Sequence, residues 1–313
     1  MAGPYDKDEF TRRLKARASE LGFNLCGIAR ARRLEELAPR FRAWLDAGMN
    51  DIMKYLERDL DKRIDPSAML QDAKSLVVTG MSYYSEILQK DPDAPILSRY
   101  TYGRDYHEVI REKLEDLLSW IKKQVPDVSG RIVVDSSAMT EKAWAREAGL
   151  GWQGRHSLII NRDIGSFFFI GILILNTDLS YDDPVTTDHC GECRICQDQC
   201  PTGAINGDKT IDARKCIANL TIERRGPVPE ALVPLLGGRV YGCDKCQEVC
   251  PWNKAPKVKS SQEFAIDEEI AEMTVDEWKN LSKERFMRLF RTTSMKRVSY
   301  EKMKSNIEAV FKR

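Results

Sequence analysis

The chain has 313 residues, 42% of them hydrophobic and 31% charged, with 49 Lys or Arg against 48 Asp or Glu and a formal charge of +1. That length allows one large or two ordinary domains with a sizeable core, and the charge balance excludes nucleic-acid binding through bulk charge, leaving only a local patch. The longest apolar run, Phe167 to Leu175, is nine residues with a glycine inside it, whereas a membrane-spanning helix needs about 20; the opening MAGPYDKDEF also lacks the apolar stretch of a signal peptide, so a cytoplasmic chain without a membrane partner is expected.

Residues 6 to 21 predict an amphipathic helix, with Phe10, Leu14, Ala18 and Leu21 at helical spacing and Gly22 to stop it. Phe23 to Ile28 alternates like a strand, and the lone Cys26 within it reads as a small core residue. Between Arg12 and Arg42 nine basic residues face three acidic ones, which makes either a solvated helix face or a patch for a phosphate backbone. Residues 34 to 60 predict helices, with Trp44, Leu45, Met49, Tyr55 and Leu56 packing, interrupted by Gly48 and Asp65-Pro66. Ser75 to Thr79 is a short buried strand. The loop Ser98-Arg-Tyr-Thr-Tyr-Gly-Arg-Asp-Tyr-His107 mixes aromatics, glycine and arginine in the manner of a binding loop. A helix follows, with Ile110, Leu114, Leu117, Leu118, Ile121 and Val125 on one face.

Arg131 to Asp135 predicts a strand ending on a carboxylate, and Thr140 to Ala148 a helix closed by Gly149. A glycine loop, 149 to 154, leads to strands at Ser157 to Asn161 and Ser166 to Leu175, expected to form a hairpin across Asp163-Ile-Gly165. Gly149, Gly151 and Gly154 spell G-x-G-x-x-G, but they follow a helix and open a strand, the reverse of a dinucleotide site. Asp105-Tyr-His107 begins like the D-x-H-x-x-G loop of some cobalamin proteins, yet position 110 is Ile; His107, His156 and His189 are read as structural residues.

Eight of the nine cysteines fall between residues 190 and 250. Cys190, Cys193, Cys196 and Cys200-Pro201 form C-x2-C-x2-C-x3-C-P, the run in which bacterial ferredoxins hold iron–sulfur clusters. Cys216, then 26 residues, then Cys243, Cys246 and Cys250-Pro251 repeat it with the leading cysteine displaced. Three closely spaced thiolates reach one cube, and the cysteine before proline ligates the other. The pattern therefore assigns Cys190, Cys193, Cys196 and Cys250 to one 4Fe-4S cluster and Cys200, Cys216, Cys243 and Cys246 to a second. Disulfides are disfavoured by an odd total and the lack of a secretory segment. Structural zinc is disfavoured because it needs no repeated x3-C-P ending. After Trp252 the chain is polar: Glu263 to Glu277 carries seven acidic residues, and Lys283 to Arg313 ten basic against three acidic. That last stretch reads as a solvated helical tail with a small stripe of Phe286, Leu289 and Phe290, or as an RNA-facing surface.

These elements make an α+β protein. An N-terminal α/β domain with a partly antiparallel sheet spans 1–178, a bacterial-ferredoxin-like two-cluster domain 179–256, and a short charged helical segment 257–313. Val134-Asp135-Ser136, Glu141-Lys-Ala-Trp-Ala, Ala148-Gly-Leu-Gly-Trp-Gln-Gly154, Leu220-Thr-Ile-Glu-Arg-Arg-Gly226 and the close Gly242-Cys-Asp-Lys-Cys-Gln-Glu-Val-Cys-Pro-Trp252-Asn253 together resemble the epoxyqueuosine reductase family from about residue 10 to 256.

The resemblance implies cobalamin (vitamin B12) in the N-terminal domain beside the two clusters. It implies a tRNA with a queuosine-type anticodon stem-loop as substrate, and an external one-electron donor such as a flavodoxin or ferredoxin. A monomer is expected. The implied chemistry is reductive loss of an epoxide oxygen, taking two electrons and two protons. Asp135 matches the family's proton donor; with an ordinary pKa near 3.9 it would need desolvation against the corrin and the base to raise that value. Implied cobalamin contacts are Arg58, Ser98, Asp135, Ser157 and the turn of Tyr241, Gly242 and Asp244. The chain departs from the family at Arg155-His156 and Ala218-Asn219. It also ends before the helical repeats of some members, so a tRNA grip that is smaller or differently arranged is expected. Two other readings stand beside this one. A dehalogenase-like cobalamin reductase of a small molecule would lack a basic rim, and an electron-transfer ferredoxin module would leave the first 178 residues unexplained.

Overall fold

The computed structural model describes residues 6–135, 137–254 and 261–312. Ser136 of the motif after Asp135, and the expected boundary between 256 and 257, lie outside the described residues. In chain order the strands are β1 (Leu25–Arg30), β2 (Ser75–Ser82), β3 (Ile96–Leu97), β4 (Gly130–Val133), β5 (Trp152–Gln153), β6 (Ile159–Ile160), β7 (Phe168–Leu175) and β8 (Arg239–Tyr241). The α-helices are α1 (Lys7–Glu20), α2 (Ala38–Asp46), α3 (Leu60–Ile64), α4 (Tyr106–Gln124), α5 (Glu141–Glu147), α6 (Ile195–Asp198), α7 (Lys245–Glu248), α8 (Glu268–Glu272), α9 (Val275–Lys279), α10 (Lys283–Phe290) and α11 (Tyr300–Phe311).

The main sheet runs β1-β2-β7-β4 with every pairing antiparallel. Its centre follows from composition: β2 and β7 are runs of Val, Ile, Leu and Phe that suit a pleated surface, and all eight residues of β2 are buried. Side chains alternate between faces. Ile28, Val77 and Leu173, which lie side by side across three strands, pack with Phe10 and Leu14 of α1 and Ile110, Leu114, Leu117 and Ile121 of α4. Leu76, Val78, Ile172 and Ile174 face the other way, onto Trp144, Ala145 and Ala148 around α5. The result is a helix–sheet–helix sandwich. Gly171 lets α4 approach, since a Cβ there would collide with Ile110.

Two expectations change. The hairpin is made by β5 and β6, not by 157–161 with 166–175; only the bridge from Asn161 to Gly165 crosses that turn. β7 is recruited instead between β2 and β4, where its apolar run is covered on both sides. The C-terminal stretch is also not a solvated tail. Trp278, Phe286, Phe290, Met303 and Ile307 form a second core with Leu97, Tyr102, Leu220, Val240 and Tyr241. The Asn306 amide donates from inside it to the carbonyls of Thr221 and Val240, both at 2.9 Å. Net charge misled the sequence reading because an apolar stripe needs only one face of each short helix.

The cysteine segment is fixed to the sheet by a buried polar seam. Asn253 accepts from the Ser166 N–H (2.7 Å) and donates to its hydroxyl (2.9 Å). Gln247 accepts from the Ser166 hydroxyl (3.0 Å) and donates to the Tyr83 hydroxyl (3.2 Å). β3 pairs in parallel with β8, joining the aromatic loop to the second cysteine set.

Candidate active site

Asp135 stands two residues beyond the end of β4, past Val134, in left-handed backbone at φ 44°, a conformation that Asp tolerates better than most residues. Its N–H donates to Glu141 Oε1 (2.5 Å). Among the described residues, two groups donate to its Oδ2: the Tyr106 hydroxyl (2.7 Å) and His107 Nε2 (3.1 Å). Both come from the first turn of α4. Asp105 caps that helix by accepting the His107 N–H (3.0 Å). The same Asp105 oxygen takes His107 Nδ1 (2.7 Å), and Lys296 Nζ lies 3.0 Å from the other. Tyr106 is stacked between the His107 ring (centroids 4.0 Å apart) and Phe169 (4.2 Å, 4° from parallel), which holds the aromatic pair in place.

The charges sort themselves accordingly. Burial works to raise the Asp135 carboxyl, but the bonds from His107 and Tyr106, with the charges of His107 and Arg297, hold it below the usual carboxylate range. Burial works against a charged His107, but Asp105 and Asp135 push its pKa up to about 9. Burial likewise opposes the Asp105 charge, while His107 and Lys296 bring it down to about 2. Burial and the Asp135 charge push Glu141 up to about 8. At neutral pH the ground state is thus Asp105 and Asp135 ionised, His107 protonated and Glu141 neutral.

Lys142, next to Glu141, has an exposed side chain, yet burial lowers its pKa and its charged neighbours are Asp135, Glu141, Cys246 and Cys216. A side chain both accessible and hemmed in lines a recess. Asp135, 46% exposed, opens into the same space. The sequence reading missed Tyr106, His107, Glu141 and Lys142 as site residues. The sequence signals for the first two were the binding-loop character of Ser98 to His107 and the polar triplet Asp105-Tyr-His107 directly at a helix start.

The cysteines gather in two neighbouring sets. Burial and then Cys250, Cys190 and Cys193 push the Cys196 thiol up to about 11. Cys246 is raised by burial and by Cys243 and Cys216, and Cys200 adds to the burial that raises Cys216. Cys196 also acts on Cys246, so the sets adjoin, with Cys196 on α6 and Cys246 on α7. Among the described residues no three His, Cys, Asp or Glu side chains converge on a single metal ion. The donor set, eight soft thiols without histidine or carboxylate, fits iron–sulfur cubes. Cys26 stands apart in β1, its thiol pushed up to about 12 by burial.

The other sequence-derived positions divide. Arg58 is exposed and Ser157 half-buried, the latter at φ 67° and accepting from Gln153 (3.3 Å). Ser98, Tyr241 and Asp244 are buried and engaged. The Ser98 hydroxyl donates to Asp244 (2.5 Å), whose second oxygen takes the Arg99 N–H (2.7 Å). The Tyr241 hydroxyl donates to the Ser294 carbonyl (2.9 Å). Gly242 sits against Ser98, with its N–H on the Thr221 hydroxyl (3.0 Å). His156 is 3% exposed and, among the described residues, its Nε2 is buried without a partner; burial, then the Lys142 charge, lowers it to about 4.

Residues 189–253 match the family described as a 4Fe-4S double cluster binding domain, and residues 63–136 match that described as epoxyqueuosine reductase QueG, DUF1730. The chain is 42% identical over 302 residues to an epoxyqueuosine reductase of Cellulophaga algicola, covering 96% of this chain and 98% of the relative. It is similar to the crystal structure of an epoxyqueuosine reductase with an epoxyqueuosine-modified tRNA-Tyr stem loop, with a TM-score of 0.86 and 29% identity over 96% of this chain and 80% of that one. It is also similar to the Bacillus subtilis epoxyqueuosine reductase whose catalytic aspartate loop is swung out of the active site, with a TM-score of 0.85 and 28% identity over 96% and 81%. A likeness of fold alone extends to a reductive dehalogenase whose structure suggests a mechanism for B12-dependent dehalogenation (TM-score 0.50, 18% identity, 81% of this chain and 33% of that one).

Proposed function

Because the chain belongs to the epoxyqueuosine reductase family, we propose that it reduces epoxyqueuosine to queuosine in the anticodon stem-loop of a tRNA, as a cytoplasmic monomer served by an external one-electron donor such as a flavodoxin or ferredoxin. The observation that carries this reading is the place of Lys142. It feels the charges of Asp135, Glu141, Cys246 and Cys216 together, so the acid group and the second thiol set address one recess.

Cobalamin suits that recess on the character of its walls. Asp135, Lys142 and His107 offer accessible charged side chains, and His156, near Lys142, keeps a buried Nε2 without a partner among the described residues. Arg58 and Ser157 would meet the cofactor through their side chains. Ser98, Tyr241 and Asp244, whose side chains are engaged, would shape the turn at Gly242. When bound, the corrin supplies a strongly nucleophilic reduced metal, and the clusters supply electrons singly. The protein's part is to hold eight thiolates, exclude water and deliver a proton from Asp135 to the departing oxygen. The aspartate loop of the Bacillus subtilis relative supports that role for Asp135.

The tRNA would approach over a cavity of about 500 Å³ lined by Glu223, Arg224, Arg225, Arg297 and Lys302. Its basic wall suits RNA phosphates, and Arg297 is also among the charges felt by Asp135. Anaerobic reconstitution with iron, sulfide and cobalamin, followed by nucleoside mass spectrometry of epoxyqueuosine-bearing tRNA, tests the reading. Conversion by the wild type, and its loss in Asp135→Asn with both cofactors retained, is the expected result. A reconstituted protein that binds no corrin, or leaves the epoxide intact, overturns it.

A further inference from the structure

We infer that His107 holds the proton consumed at the epoxide oxygen and that Asp135 passes it on, an assignment that rests on the reductase reading above. His107 does more than support a helix start. Its own backbone N–H already supplies the cap to Asp105, yet the imidazole bridges to a second carboxylate 28 residues further along, with Nδ1 on Asp105 and Nε2 on Asp135. Asp105 is held by Lys296 as well, so it is anchored and serves to keep Nδ1 protonated. Asp135 is the more exposed of the two carboxylates, at 46% against 6%. The bridge therefore runs from a fixed anion inside to a recess-facing one.

The groups that face this bridge come from three segments. They are Asp105, Tyr106 and Glu108 at the start of α4, Asp135, Glu141 and Lys142 after β4, and Lys296 and Arg297 in the turn before α11, with Tyr55 beside Asp135 and Arg297 from outside these segments. With that surrounding, the imidazole is protonated well above neutrality, whereas the Asp135 carboxyl is not. A carboxylate that is ionised at rest cannot be the store; it can be the last carrier.

The step balances as follows. Reduction takes two electrons and two protons, breaks both C–O bonds of the epoxide, releases its oxygen as water and leaves a carbon–carbon double bond. The electrons come from the external one-electron donor. His107 Nε2 gives its proton to Asp135 Oδ2, and rotation of the new hydroxyl presents it to the oxygen as a C–O bond breaks. His107 is left neutral and regains a proton from solvent between turnovers; the second proton comes from water.

The test is a titration of the three histidines in the full-length, oxidised holoenzyme by NMR, with His107 assigned by its absence in His107→Gln. The expected midpoint for His107 is near 9, falling by more than one pH unit in Asp105→Asn. Single-turnover rates should be level from pH 6 to 8 and fall tenfold per unit above about 9. His107→Gln, which keeps a donor to Asp135 but no titrating proton, should lower the rate about 100-fold and lose that alkaline limb. A wild-type His107 midpoint near 6.5, or a His107→Gln enzyme with the wild-type rate and pH profile, overturns the inference. If Asp135→Asn is inactive while His107→Gln is unimpaired, only the role of His107 falls; if the wild type leaves the epoxide intact, the reductase reading falls with it.

Discussion

The four-stranded sheet and the cysteine segment are stabilised in opposite ways. β2 is buried at all eight positions and its neighbours are covered by α1, α4 and α5, so its free energy comes from apolar surface that the chain itself supplies. The segment from 190 to 250 is held regular by single-turn pieces such as α6 and α7. Its thiols are crowded together, so that Cys250, Cys190 and Cys193 add to the burial that raises Cys196, and Cys243 and Cys216 to the burial that raises Cys246. One region is self-sufficient; the other is assembled around something it must bind.

The contrast is most directly broken by removing iron. Chelation should speed hydrogen exchange between residues 190 and 250 roughly a thousandfold or more, because ligand-binding energy is folding energy for such a segment. Amides of β2 and β7 should keep their protection. Equal loss in both regions would show that the sheet too depends on the clusters. In the other direction, Leu114→Ala opens a cavity under the sheet at a fully buried position and should cost about 2–5 kcal/mol in denaturant unfolding. The absorbance of the reconstituted clusters should survive it in native buffer. The smallest effect belongs to the junction. Ser98→Ala removes a hydroxyl donor from buried Asp244 and should cost about 1–3 kcal/mol. A larger share of that cost should appear in the cysteine segment than in β2, as residue-resolved exchange would report.

How far the sequence was legible follows the range of the interactions. α1 and α4 were readable from a 3.6-residue apolar period, and β2 and β7 from short continuous apolar runs, because both signals depend only on neighbours in the chain. β7's partners were not, since its apolar run fits a hairpin or the middle of a sheet equally well. The docking of α10 and α11 against Val240 and Tyr241 was hidden behind a run of lysines and arginines that remain on the outer faces. Asp105, Tyr106 and His107 were set aside because no spacing rule links them to a carboxylate 28 residues away.

By itself the sequence determined the thiol pattern, the main helices and strands, and a carboxylate at the end of the fourth strand. Each of these is a matter of local spacing. Only the tertiary structure decided which of the site's groups carries a proton at rest. That depends on desolvation set against partners from the starts of α4 and α5 and from the turn before α11. The same chemistry at Asp135 would titrate upward if burial acted alone, and it is held down because folding brings His107 and Tyr106 to its Oδ2.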